Sequence, residues 1–214
     1  MKKIIISGIF FLLMFNFVLA QDKKAKAILD ATKAYYQSMN AFKANFVYNL
    51  SSPTTGTNET VEGEITIKKE KFYLKLPAQH IITDAKTQWT YLKSSNEVNI
   101  TDYSPDADEI TPNKIYSLYE TKYDYVYVEE KTEQGKTYHI IELKPKDFKT
   151  SKVTKVRLKI VKTTNAIKSW EVFERNQNRY LYNVTRFAKV RVEDNYFKYN
   201  RSNYPSKPQE VDLR

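Results

Sequence analysis

Ala41-Phe42-Lys43-Ala44-Asn45-Phe46-Val47-Tyr48-Asn49-Leu50 is the stretch that decides the fold. Ala44, Phe46, Tyr48 and Leu50 alternate with Asn45, Val47 and Asn49. A period of two lays one apolar face along an extended strand. Just upstream the period is helical. Ala25, Ile28, Leu29, Thr32, Tyr35, Tyr36 and Met39 recur at helix spacing among Lys and Asp, which predicts one amphipathic helix over residues 22–40.

Downstream the alternation continues. After a turn over residues 53–58, Val61, Gly63, Ile65 and Ile67 alternate with Glu62, Glu64, Thr66 and Lys68. Phe72, Leu74 and Leu76 follow, then Trp89 and Tyr91, then Val98 and Ile100. Further strands are expected at 123–129, 137–143, 153–162, 166–175, 178–187 and 190–199. Between the two groups lies an acidic stretch with Asp102, Asp106, Asp108 and Glu109. Pro112 and a short helical pattern of Ile115, Leu118 and Tyr119 come next, predicting a second helix over 112–121.

About eleven antiparallel strands in one sheet twist and curl, and the apolar concave face must be covered. The two helices are the available covers. The fold class expected is α+β: an incomplete, half-open antiparallel β-barrel closed over by an N-terminal helix and a short lid helix. With no composition shift and no linker, residues 21–214 form one domain.

The chain begins differently. Lys2 and Lys3 precede an apolar run from Ile4 to Phe15, and Val18-Leu19-Ala20 places compact residues before Gln21. Residues 1–20 are therefore expected to be a secretory signal peptide cleaved after Ala20, shorter than the ~20 apolar residues of a membrane span. Without a cysteine the lipoprotein form of such a leader is excluded, as are thiol catalysis, thiolate metal sites and disulfides.

The remaining chain has a core-forming length and a formal charge of +8, the full +10 less Lys2 and Lys3. Seventeen Tyr and eleven Phe against four Gly and three Met suit pleated surfaces. A basic, aromatic-rich chain can bind nucleic acid. Here the Lys and Arg are dispersed over solvated strand faces, and no nucleic-acid partner is expected. Attraction to anionic membrane surfaces remains open to such a chain.

Catalytic signals are sparse. His80 and His139 fall in separate strands without zinc-like spacing. The Asp106-Ala107-Asp108-Glu109 cluster lacks the glycine and spacing of a calcium loop, so a solvated loop is the expected reading. No nucleophile elbow, phosphate loop or dinucleotide fingerprint occurs. A glycosidase-type carboxylate pair stays open on sequence alone. No cofactor or metal is expected. What remains is an aromatic-lined curved sheet that is either a filled core or a container for something apolar.

The order of segments resembles the LolA family, periplasmic carriers of outer-membrane lipoproteins. Ala41-Phe42-Lys43-Ala44-Asn45-Phe46 is similar to the family's Ser-Phe-x-Ala-x-Phe first strand, and Gly63-Glu64-Ile65 with Lys69 to Leu74 to its second hairpin. Ile82-Thr83-Asp84-Ala85-Lys86-Thr87-Gln88-Trp89-Thr90-Tyr91 resembles a hairpin that reads Ser-Asp-Gly-Lys-x-x-Trp-x-Tyr in the family. Leu143-Lys144-Pro145-Lys146 looks like its Leu-x-Pro-Lys strand end. Phe197, the segment 204–208 and Val211-Asp212-Leu213 match its usual ending. Three positions depart from the family: Lys69-Glu70 stands for Arg-Pro, Leu74 for an aromatic, and Ala85 for a turn glycine.

The resemblance implies a periplasmic chaperone, not an enzyme, that binds the acyl chains of lipoproteins and ferries them from inner to outer membrane. Its implied partners are acylated lipoproteins, an inner-membrane release transporter and an outer-membrane acceptor, with the carrier a monomer. Phe46, Tyr48, Ile65, Ile67, Phe72, Leu74, Trp89 and Tyr91 are the expected cavity lining. Ile28, Leu29, Met39, Ile115 and Leu118 are the expected lid, and Lys69 the expected latch, a point donor in place of the planar Arg fork. The rival expectations are an exported binder of another lipid or glycolipid, and an exported hydrolase.

Overall fold

The computed structural model describes residues 23–104, 110, 114–204 and 206–214. The expected signal peptide, Pro112 and the Asp106-Ala107-Asp108-Glu109 cluster lie outside the described residues.

Helix α1 (residues 23–37) leads into a single twelve-stranded sheet. Its strands are β1 (Ala41–Ser52), β2 (Thr57–Lys68), β3 (Lys71–Lys75), β4 (Gln79–Thr83), β5 (Thr87–Leu92), β6 (Glu97–Asp102), β7 (Tyr123–Glu133), β8 (Lys136–Pro145), β9 (Val153–Val161), β10 (Ile167–Glu174), β11 (Arg179–Val190) and β12 (Gln209–Asp212). The spatial order is β12-β6-β5-β4-β3-β2-β1-β11-β10-β9-β8-β7. Hairpins join neighbours everywhere except at β1–β11, which closes the two halves of the chain onto each other, and at β12, which adds parallel to β6. The edges β12 and β7 do not pair with each other. The barrel is half-open, as expected.

The strand set differs from expectation in three places. Gln79–Thr83 is a strand of its own, and Gln209–Asp212 is a twelfth. Residues 190–199 do not form a strand. β11 ends at Val190, and Asp194–Phe197 is a short 3-10 helix. The physical reason is Asp194, whose carboxylate is paired with Lys68 at 2.8 Å and Lys71 at 2.7 Å on the β2–β3 hairpin. Those two hydrogen-bonded ammonium groups hold its pKa down at about 2. The pairing bends the chain out of the sheet and across its convex side, where Phe197 is fully buried.

The expected helix over 112–121 is also corrected. Its described part is a turn at 114–117 followed by a 3-10 turn at Leu118–Glu120. Ile115 and Leu118 are nonetheless buried, so the apolar spacing served packing and not an α-helix.

Register fixes the faces. Tyr48, Tyr182, Trp170, Leu158, Ile141 and Tyr127 lie opposite one another in sequence across β1, β11, β10, β9, β8 and β7. Ala44, Ile65, Leu74 and Ile81 form a second row on the same concave face. A bulge at Thr185 adds a residue between Val184 and Arg186 and sharpens the bend beside Phe46.

Candidate functional site

The concave face is covered by α1 through Ala25, Leu29, Thr32 and Tyr36, spaced at one helical stripe and all buried. Ile28, Tyr35 and Met39 pack beside them, half-buried. The segment 114–120 lies alongside. Tyr116 stacks on Tyr36, the Tyr119 hydroxyl donates to Asp30 at 2.7 Å, and Lys33 pairs with Glu120. Helix and segment together form one lid.

Beneath the lid the aromatic side chains nearly fill the space. An apolar cavity of about 40 Å³ remains, walled by Phe42, Phe46, Ile65, Ile67, Trp170, Tyr182 and Val184 from the sheet and by Tyr36, Ile115 and Tyr116 from the lid. Such a volume holds a few water molecules, whereas pockets for organic ligands run to about 300 Å³ or more. The site is self-filled in this conformation. Its walls are adaptable, since half of them are rings that can rotate about two torsions.

Two details shape it. Gly63 lies opposite Phe46 across β1–β2, and a Cβ there would fall 2.9 Å from Phe46 Cε1 and 2.9 Å from Leu76 Cδ2. The missing side chain gives the Phe46 ring its seat over β2. Trp170 and Tyr182 stack at 4.7 Å with their planes 8° apart, making one flat apolar wall. Burial pushes the Tyr182 and Tyr36 hydroxyls far above the usual phenol range, so both stay neutral. The Tyr36 hydroxyl accepts the backbone N–H of Ile167 at 3.0 Å, where β10 begins irregularly.

Phe46, Ile65 and Ile67 thus stand in the cavity wall, with Tyr48, Phe72 and Leu74 on the same face beside it. Ile115 is in the wall, Leu29 and Leu118 are buried in the lid, and Ile28 and Met39 flank it. Trp89 and Tyr91 are a correction. Leu74 faces Ile81 and Ile81 faces Thr90, which puts Gln88 and Thr90 inside and Trp89 and Tyr91 on the convex face. There Tyr91 meets Tyr204 at 4.5 Å, and Trp89 lies beneath the segment that carries Tyr196 and Tyr199.

Lys69 is exposed in the β2–β3 turn at φ 55°, and among the described residues no hydrogen bond or ion pair joins it to the lid. Asp30 and Lys33 join the two parts of the lid, and Tyr36 bonds it to β10. The residues that sequence reading left out are Tyr36, Phe42, Tyr116, Ile167, Trp170, Tyr182 and Val184. The alternation in 166–187 carried the signal for four of these, but nothing in it said that β11 would lie next to β1.

His139 sits on the concave face under Tyr127, and His80 on the convex face by Tyr73. Among the described residues no group of His, Asp and Glu is placed to hold a metal ion. No described helix is long and apolar enough to cross a membrane.

The family model described as "Outer membrane lipoprotein carrier protein LolA" matches residues 37–200. The chain belongs to the LolA family. An uncharacterized conserved protein from Thermus thermophilus shares its fold at 12% identity and a TM-score of 0.59, covering 87% of this chain and 98% of that one. A LolA superfamily protein from Nitrosomonas europaea aligns at 12% identity and TM-score 0.45, over 82% and 97% of the two chains. LprF from Mycobacterium bovis aligns at 12% and 0.48, over 80% and 95%. No curated protein matches the sequence.

Proposed function

We propose that this LolA-family chain is a periplasmic carrier that holds the acyl chains of lipoproteins between its concave sheet face and its lid. The observation that supports this most directly is the self-filled apolar cavity under a lid that the Tyr36–Ile167 hydrogen bond ties to the sheet. Each methylene kept from water is worth about 0.8 kcal/mol, so several acyl chains do not cross an aqueous space unaided. A cavity that must be opened against its own ring packing offsets part of that gain. Release then stays within reach, which a carrier needs.

In this reading residues 1–20 direct export and are removed after Ala20, and the monomeric carrier takes cargo from an inner-membrane transporter and yields it to an outer-membrane acceptor. Phe46, Tyr48, Ile65, Ile67, Phe72 and Leu74 receive the chains. Ile28, Leu29, Met39, Ile115 and Leu118 move aside.

The test is native mass spectrometry of protein purified from its own cell envelope, paired with release of lipoproteins from inner-membrane vesicles. An intact lipoprotein on the protein, or release that depends on it, supports the carrier role. Bound free phospholipid or glycolipid without release would replace it by a general lipid binder. Bare protein that releases nothing would end the transport reading.

A further inference from the structure

Phe148 is 54% exposed, one of three large apolar side chains so placed among the described residues. The other two, Val128 and Leu213, stand beside acidic neighbours, Glu129 and Asp212. Phe148 sits in the turn between β8 and β9, where Lys146, Lys149 and Lys152 accompany it and Lys144 is the penultimate residue of the preceding strand. Lys122 adjoins them, its carbonyl accepting the Lys146 N–H at 2.9 Å. The Arg175 guanidinium lies 4.4 Å from the Phe148 ring centre.

Among the described residues three acids stand at the turn itself, and two are occupied locally. Asp147 accepts the Thr150 backbone N–H and hydroxyl within the turn, and Glu174 accepts the Tyr180 hydroxyl at 3.2 Å. Asp124 faces Lys144 across β7–β8. Among the described residues Lys144, Lys146, Lys149, Lys152 and Arg175 against Asp124, Asp147 and Glu174 leave the turn itself positive, while Asp30 and Glu120 beside it are paired with Lys26 and Lys33. The turn is also built firmly. Ser151 Oγ accepts the Val153 N–H at 3.1 Å, and Arg175 Nε donates to the Ser151 carbonyl at 2.8 Å.

Its place in the fold matters. Lys146 lines a groove of about 510 Å³ at the side of the lid, together with Lys26, Tyr119, Tyr125 and the acids Asp30, Glu120 and Asp124. An aromatic anchor ringed by lysines beside a lid has the chemistry of an interfacial contact. Aromatic rings settle at the headgroup level of bilayers, and each lysine near an anionic leaflet raises affinity by about fivefold.

We propose that the β8–β9 turn docks the protein on an anionic phospholipid surface, with Phe148 at the headgroup level and Lys146 and Lys149 against lipid phosphates. The contact is reversible and weakened by salt. It brings the lid to the bilayer whatever cargo the cavity takes.

The experiment is flotation of the purified protein with protein-free vesicles, either phosphatidylglycerol with phosphatidylethanolamine or phosphatidylcholine alone. Binding to the anionic vesicles that high salt reverses is expected, with little to phosphatidylcholine. Lys146→Ala with Lys149→Ala should weaken it about 25-fold, and Phe148→Ser about tenfold. Both should leave the unfolding midpoint unchanged. Leu74→Glu, which alters the cavity, should float like the parent. Equal binding to phosphatidylcholine, or tip variants that float normally, would overturn the proposal. So would a Leu74→Glu protein that no longer floats, since the cavity would then be extracting lipid. Tip-dependent retention on protein-bearing membranes but not on anionic vesicles would assign the turn to an acidic protein partner instead.

Discussion

The rings of Tyr36 and Tyr116 lie 5.0 Å apart and 12° from parallel, so helix α1 and the 114–120 segment meet in a single stacked pair. Such a pair is worth about 0.5–1.5 kcal/mol beyond its burial. Removing it by Tyr116→Ala loosens the lid without touching the sheet. Stopped-flow uptake of a fluorescent fatty acid should become faster in that variant. An unchanged association rate would show that the lid opens elsewhere.

Tyr36 carries a second duty through its hydroxyl. The Ile167 N–H that it accepts lies in a buried, irregular start of β10 and has this phenol as its partner. Tyr36→Phe leaves that N–H unsatisfied, which costs about 1–3 kcal/mol. Urea unfolding should show the midpoint falling at constant slope. A stability equal to the parent would mean that water reaches Ile167.

Leu74 and Trp89 separate the two faces of the sheet. Leu74 is half-buried on the concave side, in register with Ile65 and Ile81. A carboxylate there is solvated in the open state but is carried into apolar surroundings when a ligand is enclosed. Leu74→Glu should therefore keep the far-ultraviolet circular dichroism of the parent and lose acyl binding. Trp89→Phe, on the convex side, should leave acyl binding as it is. Equal loss from both would show that the convex face also takes part.

The same pair shows how far the sequence reaches. Alternation located most strands and gave Phe46, Ile65 and Ile67 the concave face, because these strands pair in hairpins next to β1. It placed Trp89 and Tyr91 wrongly, because parity within one strand is silent about which face a neighbouring strand shares. That information lies in the Leu76-to-Gln79 connection, which brings Ile81, not Ile82, opposite Leu74. A cover for the convex face was equally hidden. Residues 190–199 look strand-like until Asp194 pairs with Lys68 and Lys71, partners more than 120 positions away. The lid contacts Asp30–Tyr119 and Lys33–Glu120 are long-range in the same way.

Ala85 occupies the β4–β5 turn at φ 75°, where the family resemblance places glycine. Thr83 Oγ1 accepts its N–H at 3.0 Å, and Asp84 Oδ1 accepts from Lys86 and Thr87 at 3.0 and 2.9 Å, which holds the strained turn. A left-handed conformation costs an L-residue about 1–2 kcal/mol, and glycine returns up to about 1 kcal/mol of that as entropy in the unfolded chain. Ala85→Gly should still raise the unfolding midpoint, by the equivalent of up to about 1 kcal/mol. A lower midpoint would mean that the side-chain hydrogen bonds already remove the strain.

The lid should respond to acid through Asp30. Its carboxylate accepts hydrogen bonds from Lys26 at 2.6 Å and Tyr119 at 2.7 Å, and these donors, Lys26 first, lower its pKa below the usual 3.8. A depressed folded pKa gives stability that is present above the unfolded value and lost as pH falls through the folded one. Tyr119 sets the other limit. Burial, then the hydrogen bond to Asp30, raises its phenol above 10.0, so its share persists below that pH and fades as pH rises through the higher folded value. The Asp30–Tyr119 contact is therefore strongest across the wide range between these limits. Hydrogen exchange over residues 114–121 should speed up as pH is lowered from about 5 to about 3, after correction for the intrinsic rate. In Asp30→Asn the segment should exchange faster than the parent at neutral pH and show no further acid-dependent step. A parent and variant with the same pH profile would show that Asp30 is not the acid-sensitive group of the lid.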